Sequence, residues 1–169
     1  MNNSGIPVSG SSNSRKLAAA LTLLIAVVAA ALLYLNRPGS LVLTDEESGR
    51  EIARYRVSEG DTFSIGFIHS VNKSPVTDYY EIRRDGIYVV KTVYYGFGAG
   101  VQTELEEGQK LEYGEDGSMI ITGFDRRMDD LIYFVGTVSD HTLTLNDREQ
   151  ISLRDLCGRN AKVRFRYEK

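Results

Sequence analysis

The sequence predicts an all-β domain that follows a single N-terminal transmembrane helix. Residues 17–35 are nineteen consecutive uncharged and mostly apolar residues, and a helix of that length spans about 28 Å, close to the thickness of a bilayer's hydrocarbon core. From residue 41 onward, runs of β-branched and aromatic residues are interrupted by turn signals at intervals of about eight to twelve residues. Because these runs lack helical apolar spacing, they must bury their faces against one another. We therefore expect a mainly antiparallel β-sandwich, or a partly closed barrel.

The apolar segment has two interpretations. Arg15 and Lys16 precede it and the alanines at positions 29–31 resemble a small-residue cleavage site, as in a secretory signal peptide. The apolar run continues to Leu35, however, beyond that site. This overrun favours an uncleaved signal-anchor helix that binds the lipid bilayer, with secretion after cleavage as the alternative.

The chain is accordingly divided into four parts. They are a cytoplasmic tail (1–16), a transmembrane signal-anchor helix (17–35), a linker (36–40) and an extracytoplasmic β domain (41–169). The basic pair before the helix favours an N-terminus inside the cell membrane and a domain outside it, although arginines at positions 37, 50 and 54 follow closely on the other side.

Charge and cysteine usage exclude several classes of function. Two of the 20 basic residues precede the helix, which leaves 18 against 23 acidic residues in the domain. An acidic domain is not expected to bind nucleic acid. The single Cys157 rules out an internal disulfide, and no Cys/His spacing predicts zinc or another cofactor.

Eleven strands and one helical turn are predicted. The strands are residues 41–44, 51–57, 62–71, 76–83, 87–95, 110–113, 119–122, 131–138, 142–145, 150–153 and 162–167, joined mostly as hairpins by turns at residues 59–61, 85–86, 116–117 and 146–147. Ser152 and Gly158 are placed to begin and end a helical turn over residues 153–157, where Cys157 acts as a small buried hydrophobe.

The most informative stretch contains His69 and Asp78. If residues 72–75 form a four-residue hairpin loop, His69 lies directly opposite Asp78 on an otherwise apolar face. Asp78 then either satisfies a half-buried histidine or forms, with Tyr80 and other nearby tyrosines, part of a ligand or partner contact site.

Catalysis and metal binding have weaker support. His69, Ser70 and Asp78 suggest a serine hydrolase, but neighbouring residues on a strand point to opposite faces, so we expect no catalytic role. A metal would have to recruit His141, Asp140 or Glu81 from distant strands, and we therefore expect no metal site.

A glycine-rich segment at residues 96–100 follows the tyrosine-bearing strand. Gly96, Gly98 and Gly100 suggest a bend or the close approach of another backbone or a ligand. The spacing is not that of a dinucleotide-binding loop, and no helix is predicted after it.

These motifs resemble a prokaryotic domain family of unknown function. The resemblance rests on Ile68-His69-Ser70-Val71 with Pro75-Val76 and Asp78-Tyr79-Tyr80, on Phe97-Gly98-Ala99-Gly100-Val101, and on Asp140-His141-Thr142-Leu143. It covers roughly residues 41–167. The family more often has glutamate where this chain has Asp78, which shortens the reach of the carboxylate.

The resemblance implies a function in transport. Members are small, often carry an N-terminal signal or anchor, and are commonly encoded beside the permease and substrate-binding protein of TAXI-type TRAP transporters. We therefore expect a non-catalytic extracytoplasmic accessory that contacts the permease or its binding protein through His69, Ser70, Asp78, Tyr80 and the glycine segment. The alternative is a domain that binds a small ligand or ion around His69 and Asp78.

Overall fold

The computed structural model describes residues 11–35, 37–71, 73–96, 104–148 and 150–169. The chain divides into two compact units, Met1–Arg37 and Pro38–Lys169. The described part of the first unit is mainly one helix, and the second unit is a β domain.

The first unit contains helix α1, Ser11–Leu35. Its stretch Ser14–Leu35, 22 residues, is long and apolar enough to cross a membrane, and its length of about 33 Å matches a bilayer's hydrocarbon core. The helix begins before the predicted residue 17 because no glycine or proline lies between Ser11 and Lys16. At its other end the Arg37 guanidinium lies 4.7 Å from the centre of the Tyr34 ring, a pair of residue types common at membrane interfaces.

The β domain contains all eleven predicted strands and the predicted helical turn. The elements are β1 (Gly39–Asp45), β2 (Glu51–Val57), β3 (Thr62–Ile68), β4 (Pro75–Arg83), β5 (Gly86–Tyr94), β6 (Lys110–Tyr113), β7 (Met119–Arg127), β8 (Leu131–Phe134), β9 (His141–Leu145), β10 (Gln150–Ser152), α2 (Leu153–Cys157) and β11 (Lys162–Glu168).

The strands form two open antiparallel sheets. The smaller has the order β2-β1-β11-β8, and the larger has the order β10-β9-β3-β4-β5-β7-β6. Five of the nine neighbouring pairs in these sheets are consecutive along the chain. In the turn between β9 and β10, where the Arg148 amide donates to the Leu145 carbonyl, Asn146 and Asp147 have positive φ angles, as in a type I′ turn. The predicted antiparallel sandwich is confirmed.

The hydrophobic core lies between the two sheets. Leu41, Leu43 and Phe165 of the smaller sheet pack in one cluster with Phe63 and Ile65 of the larger sheet. Each is at most 2% exposed. Buried residues alternate with more exposed ones along β11, as expected of a strand with one inner face, whereas β1 and β3 each contain three consecutive buried residues.

Helix α2 has the predicted caps. The Ser152 hydroxyl accepts a hydrogen bond from the Asp155 amide at 3.0 Å, and the Gly158 amide donates to the Arg154 carbonyl at 2.8 Å. Cys157 is half-buried, its thiol donates to the Leu153 carbonyl, and burial raises its pKa to about 11. At neutral pH the thiol is therefore protonated, as we expect of a packing group.

Three strand ends differ from the prediction by three or more residues. Strand β3 stops at Ile68 instead of residue 71, because the His69 amide donates to the Ser74 carbonyl and the Lys73 amide donates to the His69 carbonyl, closing a longer loop. Strand β8 stops at Phe134 instead of residue 138, before Gly136. Strand β7 runs on to Arg127 instead of ending at residue 122, through an irregularity in its pairing with β5.

Candidate functional site

A cavity of about 230 Å³ opens on the inner face of the larger sheet. It lies beside the main core, because Tyr80 and Val89 belong to both. Its volume is somewhat below the roughly 300–1,000 Å³ of typical ligand pockets, so it suits a small metabolite. Its lining is Phe67, His69, Val76, Asp78, Tyr80, Val89, Thr92, Tyr94, Ile121, Phe124, Arg126 and Met128.

Two irregularities in strand pairing bring these side chains to one face. Val89 and Thr92 both line the cavity, as do Ile121 and Phe124. Residues three apart on a regular strand point to opposite faces. The pairing of β4 with β5 shifts register between Tyr79 and Tyr80, and that of β5 with β7 shifts between Val89 and Lys91. Such bulges change which face of the sheet the following side chains point to.

Glycine is required at the bend in β7. Gly123 has φ +80°, and a Cβ atom there would lie 2.2 Å from the Gly108 carbonyl oxygen. No larger residue fits without moving backbone, and a positive φ disfavours other residue types as well. Gly123 thereby turns Phe124 and Arg126 towards the cavity.

A hydrogen-bonded carboxylate lies in the cavity wall. The Thr92 hydroxyl donates to Asp78 Oδ1 at 2.8 Å, and the Tyr133 hydroxyl donates to Asp78 Oδ2 at 2.6 Å. The hydroxyls of Tyr80 and Tyr133 are 2.6 Å apart. Because Tyr133 uses its proton on Asp78, Tyr80 donates to Tyr133. The chain from Tyr80 through Tyr133 to Asp78 links the two sheets across the interior.

Burial dominates the electrostatics of this group. It raises the pKa of Asp78, although the hydrogen bonds from Tyr133 and Thr92 oppose that effect. Burial, together with the charge of Asp78, also raises the pKa values of Tyr80 and Tyr133 well above the ordinary 10. Both tyrosines therefore stay neutral, and Asp78 is a carboxylate with unusually little solvation.

Replacing Asp78 with asparagine should change how stability depends on pH. Because its pKa is raised from 3.8, native Asp78 holds its proton more tightly than the unfolded chain does. Its contribution to stability is therefore largest below pH 3.8 and is lost as pH rises through the raised pKa. We expect the free energy of unfolding of Asp78→Asn, minus that of the wild type, to increase from about pH 3 to about pH 7.

Chemical denaturation of the full chain in detergent micelles, followed by near-ultraviolet circular dichroism, measures this difference. Asp116→Asn is a control of opposite sign, because hydrogen bonds from Ser118 and Tyr95 lower the pKa of Asp116 to about 2. Its difference from the wild type should decrease over the lower part of the same range. A flat or falling difference for Asp78→Asn would contradict the assignment.

The predicted pairing of His69 with Asp78 is wrong. The β3–β4 register sets Ile65 opposite Asp78 and Ile68 opposite Pro75, which is four residues from the predicted register. His69 lies in the loop after β3, where its Nδ1 accepts a hydrogen bond from the Val71 amide at 3.3 Å. His69 and Asp78 nevertheless both line the cavity.

Ser70 lies outside this cavity. It is exposed and, with His69 and Lys73, lines a separate groove of about 220 Å³ formed with residues 136–139. Both His69 and Ser70 follow the end of β3, so strand alternation does not separate them as we expected. No hydrogen bond joins their side chains in the described structure, and the absence of catalysis stays a prediction.

The glycine segment and the tyrosines are only partly placed. Gly96 follows β5 in a bend, whereas Gly98 and Gly100 lie outside the described residues. Tyr80 and Tyr94 are buried against the cavity. Tyr79 points to the other face of the sheet, where the Lys91 ammonium lies 3.9 Å from its ring centre.

The pair Asp140-His141, which is part of the family resemblance, has structural contacts. Asp140 accepts hydrogen bonds from the Ser152 hydroxyl and the Arg154 amide. His141 is 8% exposed, stacks on Phe67 with ring centres 5.0 Å apart, and has a pKa lowered by burial. Within the described ranges, no three His, Cys, Asp or Glu side chains form a group that could hold a metal ion.

Sequence reasoning missed three residues of this site. Tyr133 and Thr92 hold the Asp78 carboxylate, and Arg126 brings a positive charge to the cavity. The alternation of Leu131, Ile132 and Tyr133 marks Tyr133 as inward-facing, but nothing in the sequence specifies its partner on another sheet. Arg126 lies beyond the predicted end of its strand at residue 122, because nothing in the sequence pattern indicates that β7 continues past Gly123 to Arg127.

Comparison with known proteins assigns the chain to a family. A model described as a domain of unknown function, DUF1850, matches residues 63–152. The match covers more than half of the chain. This chain belongs to the DUF1850 family. The DUF1850 region runs from β3 to β10 and contains every residue that lines the cavity. No curated protein and no solved structure is similar enough to the chain to count as a match.

Proposed function

We propose that this protein is a non-catalytic small-molecule-binding domain, held at the cell membrane by α1, that serves as an accessory of a TRAP-type transporter. The observation that carries the binding function is the cavity itself. It combines apolar walls with a few convergent polar groups, Asp78, Thr92 and Tyr80, which is the composition typical of ligand sites.

The construction of the cavity supports binding rather than packing alone. A buried carboxylate is costly unless it is paired or hydrogen-bonded. Here two sheets, two pairing irregularities and Gly123 combine to keep one carboxylate at a cavity wall. An apolar residue at position 78 would give a simpler core, so retention of the acid favours a ligand-directed role.

The membrane location and the transporter are supported by different observations. Helix α1 is long and apolar enough to span a bilayer, and Arg15 and Lys16 before it favour a domain on the outer side. A tether raises the effective concentration of the domain near a membrane partner. The resemblance of the motifs to proteins encoded beside TAXI-type TRAP transporters supplies the identity of that partner, either the permease or its substrate-binding protein.

Ligand binding is expected to raise the thermal stability of the full chain in detergent micelles. A ligand at one hundred times its Kd stabilises the native state by about 2.7 kcal/mol. The screen should contain amino acids, organic acids, amines and sugars of up to roughly a dozen heavy atoms, which the cavity volume admits. If no compound in the screen produced a saturable rise in thermal stability, the binding function would be contradicted.

A single tryptophan can report whether binding occurs in this cavity. The chain contains no tryptophan, so Phe124→Trp places one fluorophore in the lining. Phe134→Trp is the matched control, because Phe134 is 49% exposed and lies outside the lining. A stabilising ligand should change the emission of the first variant only; equal responses would place the ligand elsewhere.

The transporter association is tested separately by co-purification. Tagged full-length protein should enrich the TRAP permease or its binding protein over an unrelated single-pass membrane protein. Equal recovery with both baits would overturn the accessory role while leaving ligand binding intact.

A further inference from the structure

The charges around the cavity define the class of its ligand, and this inference rests on the proposed binding function. Asp78 supplies a negative charge in the wall, held by Thr92 and Tyr133. Arg126 supplies a positive charge from a more exposed position. We infer that the cavity takes a small zwitterion, with an ammonium group beside Asp78, a carboxylate beside Arg126 and an apolar body between the walls.

The environment of Asp78 suits an ammonium group. Thr92 and Tyr133 each use one hydrogen bond to a different oxygen, and each carboxylate oxygen can accept a further bond. The lining also contributes the aromatic rings of Phe67, Tyr94 and Phe124. Aromatic faces next to a carboxylate favour a cationic ligand group through cation–π attraction.

Arg126 differs from its arginine neighbours. Arg127 forms ion pairs with Asp85 and Asp129, and Arg83 forms ion pairs with Glu81 and Asp125. The Arg126 side chain forms no ion pair or hydrogen bond with the part of the chain that the structure describes. Its guanidinium is therefore available for bidentate recognition of a carboxylate.

The remaining lining is apolar. Val76, Val89, Ile121 and Met128 contribute hydrocarbon surface between the two charged groups. The ligand body should accordingly be aliphatic or aromatic rather than polyhydroxylated, because a sugar would leave hydroxyl groups unpaired against these walls. An α-amino acid with an apolar side chain has this combination of groups.

Titration calorimetry with a truncated ligand series tests the inference on the full chain in detergent micelles. The probes are leucine, 4-methylpentanoate, which lacks the ammonium, and 3-methylbutylamine, which lacks the carboxylate. Leucine should bind about tenfold or more tightly than either relative, since each charge-assisted contact contributes at least that much.

Variants assign each charge to its residue. Asp78→Asn should weaken leucine and 3-methylbutylamine about tenfold and leave 4-methylpentanoate within about twofold. Arg126→Met should weaken leucine and 4-methylpentanoate and spare the amine. Asp116→Asn and Arg127→Met, whose side chains lie outside the lining, are matched controls that should leave all three affinities unchanged.

The outcomes separate this inference from the proposed function. Equal affinity for leucine and one of its truncated relatives would overturn the zwitterion while the binding function stands. If other small molecules from the thermal screen bound but none of the three probes did, the zwitterion would likewise be overturned and the binding function would stand. Circular dichroism of each variant establishes that it is folded, and Thr92→Val, which removes one hydrogen bond to Asp78, provides a second variant that should weaken the two amine-bearing probes.

Discussion

Replacing Phe63 with alanine is expected to lower the free energy of unfolding by about 3–5 kcal/mol, the cost typical of a large aromatic removed from a core. Phe63 is 2% exposed. Its ring stacks on Tyr80 at 4.9 Å within the larger sheet and on Phe165 at 6.0 Å in the smaller sheet. The substitution therefore removes a contact that joins both layers and leaves a cavity between them.

Denaturation of the full chain in detergent micelles measures this loss. Phe134→Ala is the matched control, because Phe134 is 49% exposed on an edge strand and should cost well under half as much. Phe63→Leu retains most of the volume and should fall between the two. A cost for Phe63→Ala no larger than that of the control would mean that the two sheets do not share this core.

Replacing Tyr133 with phenylalanine is expected to cost about 1.5–3 kcal/mol at neutral pH, because a hydrogen bond to a partly buried charged group is lost. The change removes one oxygen atom. It leaves Asp78 with the Thr92 hydroxyl as its remaining hydrogen-bond partner among the described residues. It also leaves the Tyr80 hydroxyl without the acceptor at 2.6 Å.

The cost of Tyr133→Phe should depend on pH in a defined direction. The Tyr133 hydrogen bond lowers the pKa of Asp78 against the effect of burial. Its loss raises that pKa further, which penalises only the ionised form. The destabilisation should therefore be smaller below pH 3.8, the ordinary pKa from which that of Asp78 is raised, because the protonated form predominates there with or without Tyr133, and larger at neutral pH.

Tyr55→Phe provides a control for the loss of a hydroxyl. Tyr55 is half-buried against the same core, and no hydrogen bond of its hydroxyl occurs in the described structure. Its replacement should change stability by less than about 0.5 kcal/mol at every pH. Equal and pH-independent effects of the two substitutions would show that Tyr133 does not hold Asp78 in solution.

Phe63→Ala and Tyr133→Phe should affect ligand binding differently. Phe63 lies in the core outside the cavity lining and touches the lining through Tyr80, so its loss should weaken binding mainly through global unfolding. Tyr133 touches the carboxylate that we assign to ligand recognition. Because Tyr133 acts through Asp78, it is a positioning residue, and its loss should weaken amine-bearing ligands in the fully folded population as well.

The family match covers the residues of the site but does not indicate the chemistry of the site. The matched region, residues 63–152, includes the cavity lining and Tyr133, whereas α1, β1, β2 and β11 lie outside it. Most strands of the smaller sheet therefore lie outside the matched region, although its strand β8 lies within that region. The smaller sheet covers the core. A shortened chain that keeps only the matched region would expose that core.

Local patterns determine much of this protein by themselves. Apolar composition over residues 17–35 specifies a helix able to span a bilayer, since only a helix satisfies backbone hydrogen bonds there. Alternation with a period of two, together with turn residues such as Asn146-Asp147, specifies eleven strands and their antiparallel connections. Ser152 and Gly158 likewise specify the short helix α2, because caps act within a few residues.

Only the tertiary structure decides the site. The register of β3 against β4 depends on loop closure through His69, Lys73 and Ser74, and a shift of four residues leaves the face of every side chain unchanged, so the alternation pattern contains no information about it. One hydrogen-bond partner of Asp78 is Tyr133, which is 55 residues away in the sequence and lies on the other sheet. Sequence therefore identifies Asp78 as an acid on an apolar face. The packing of the two sheets determines which side chains form hydrogen bonds with it, because contacts between distant strands depend on long-range geometry.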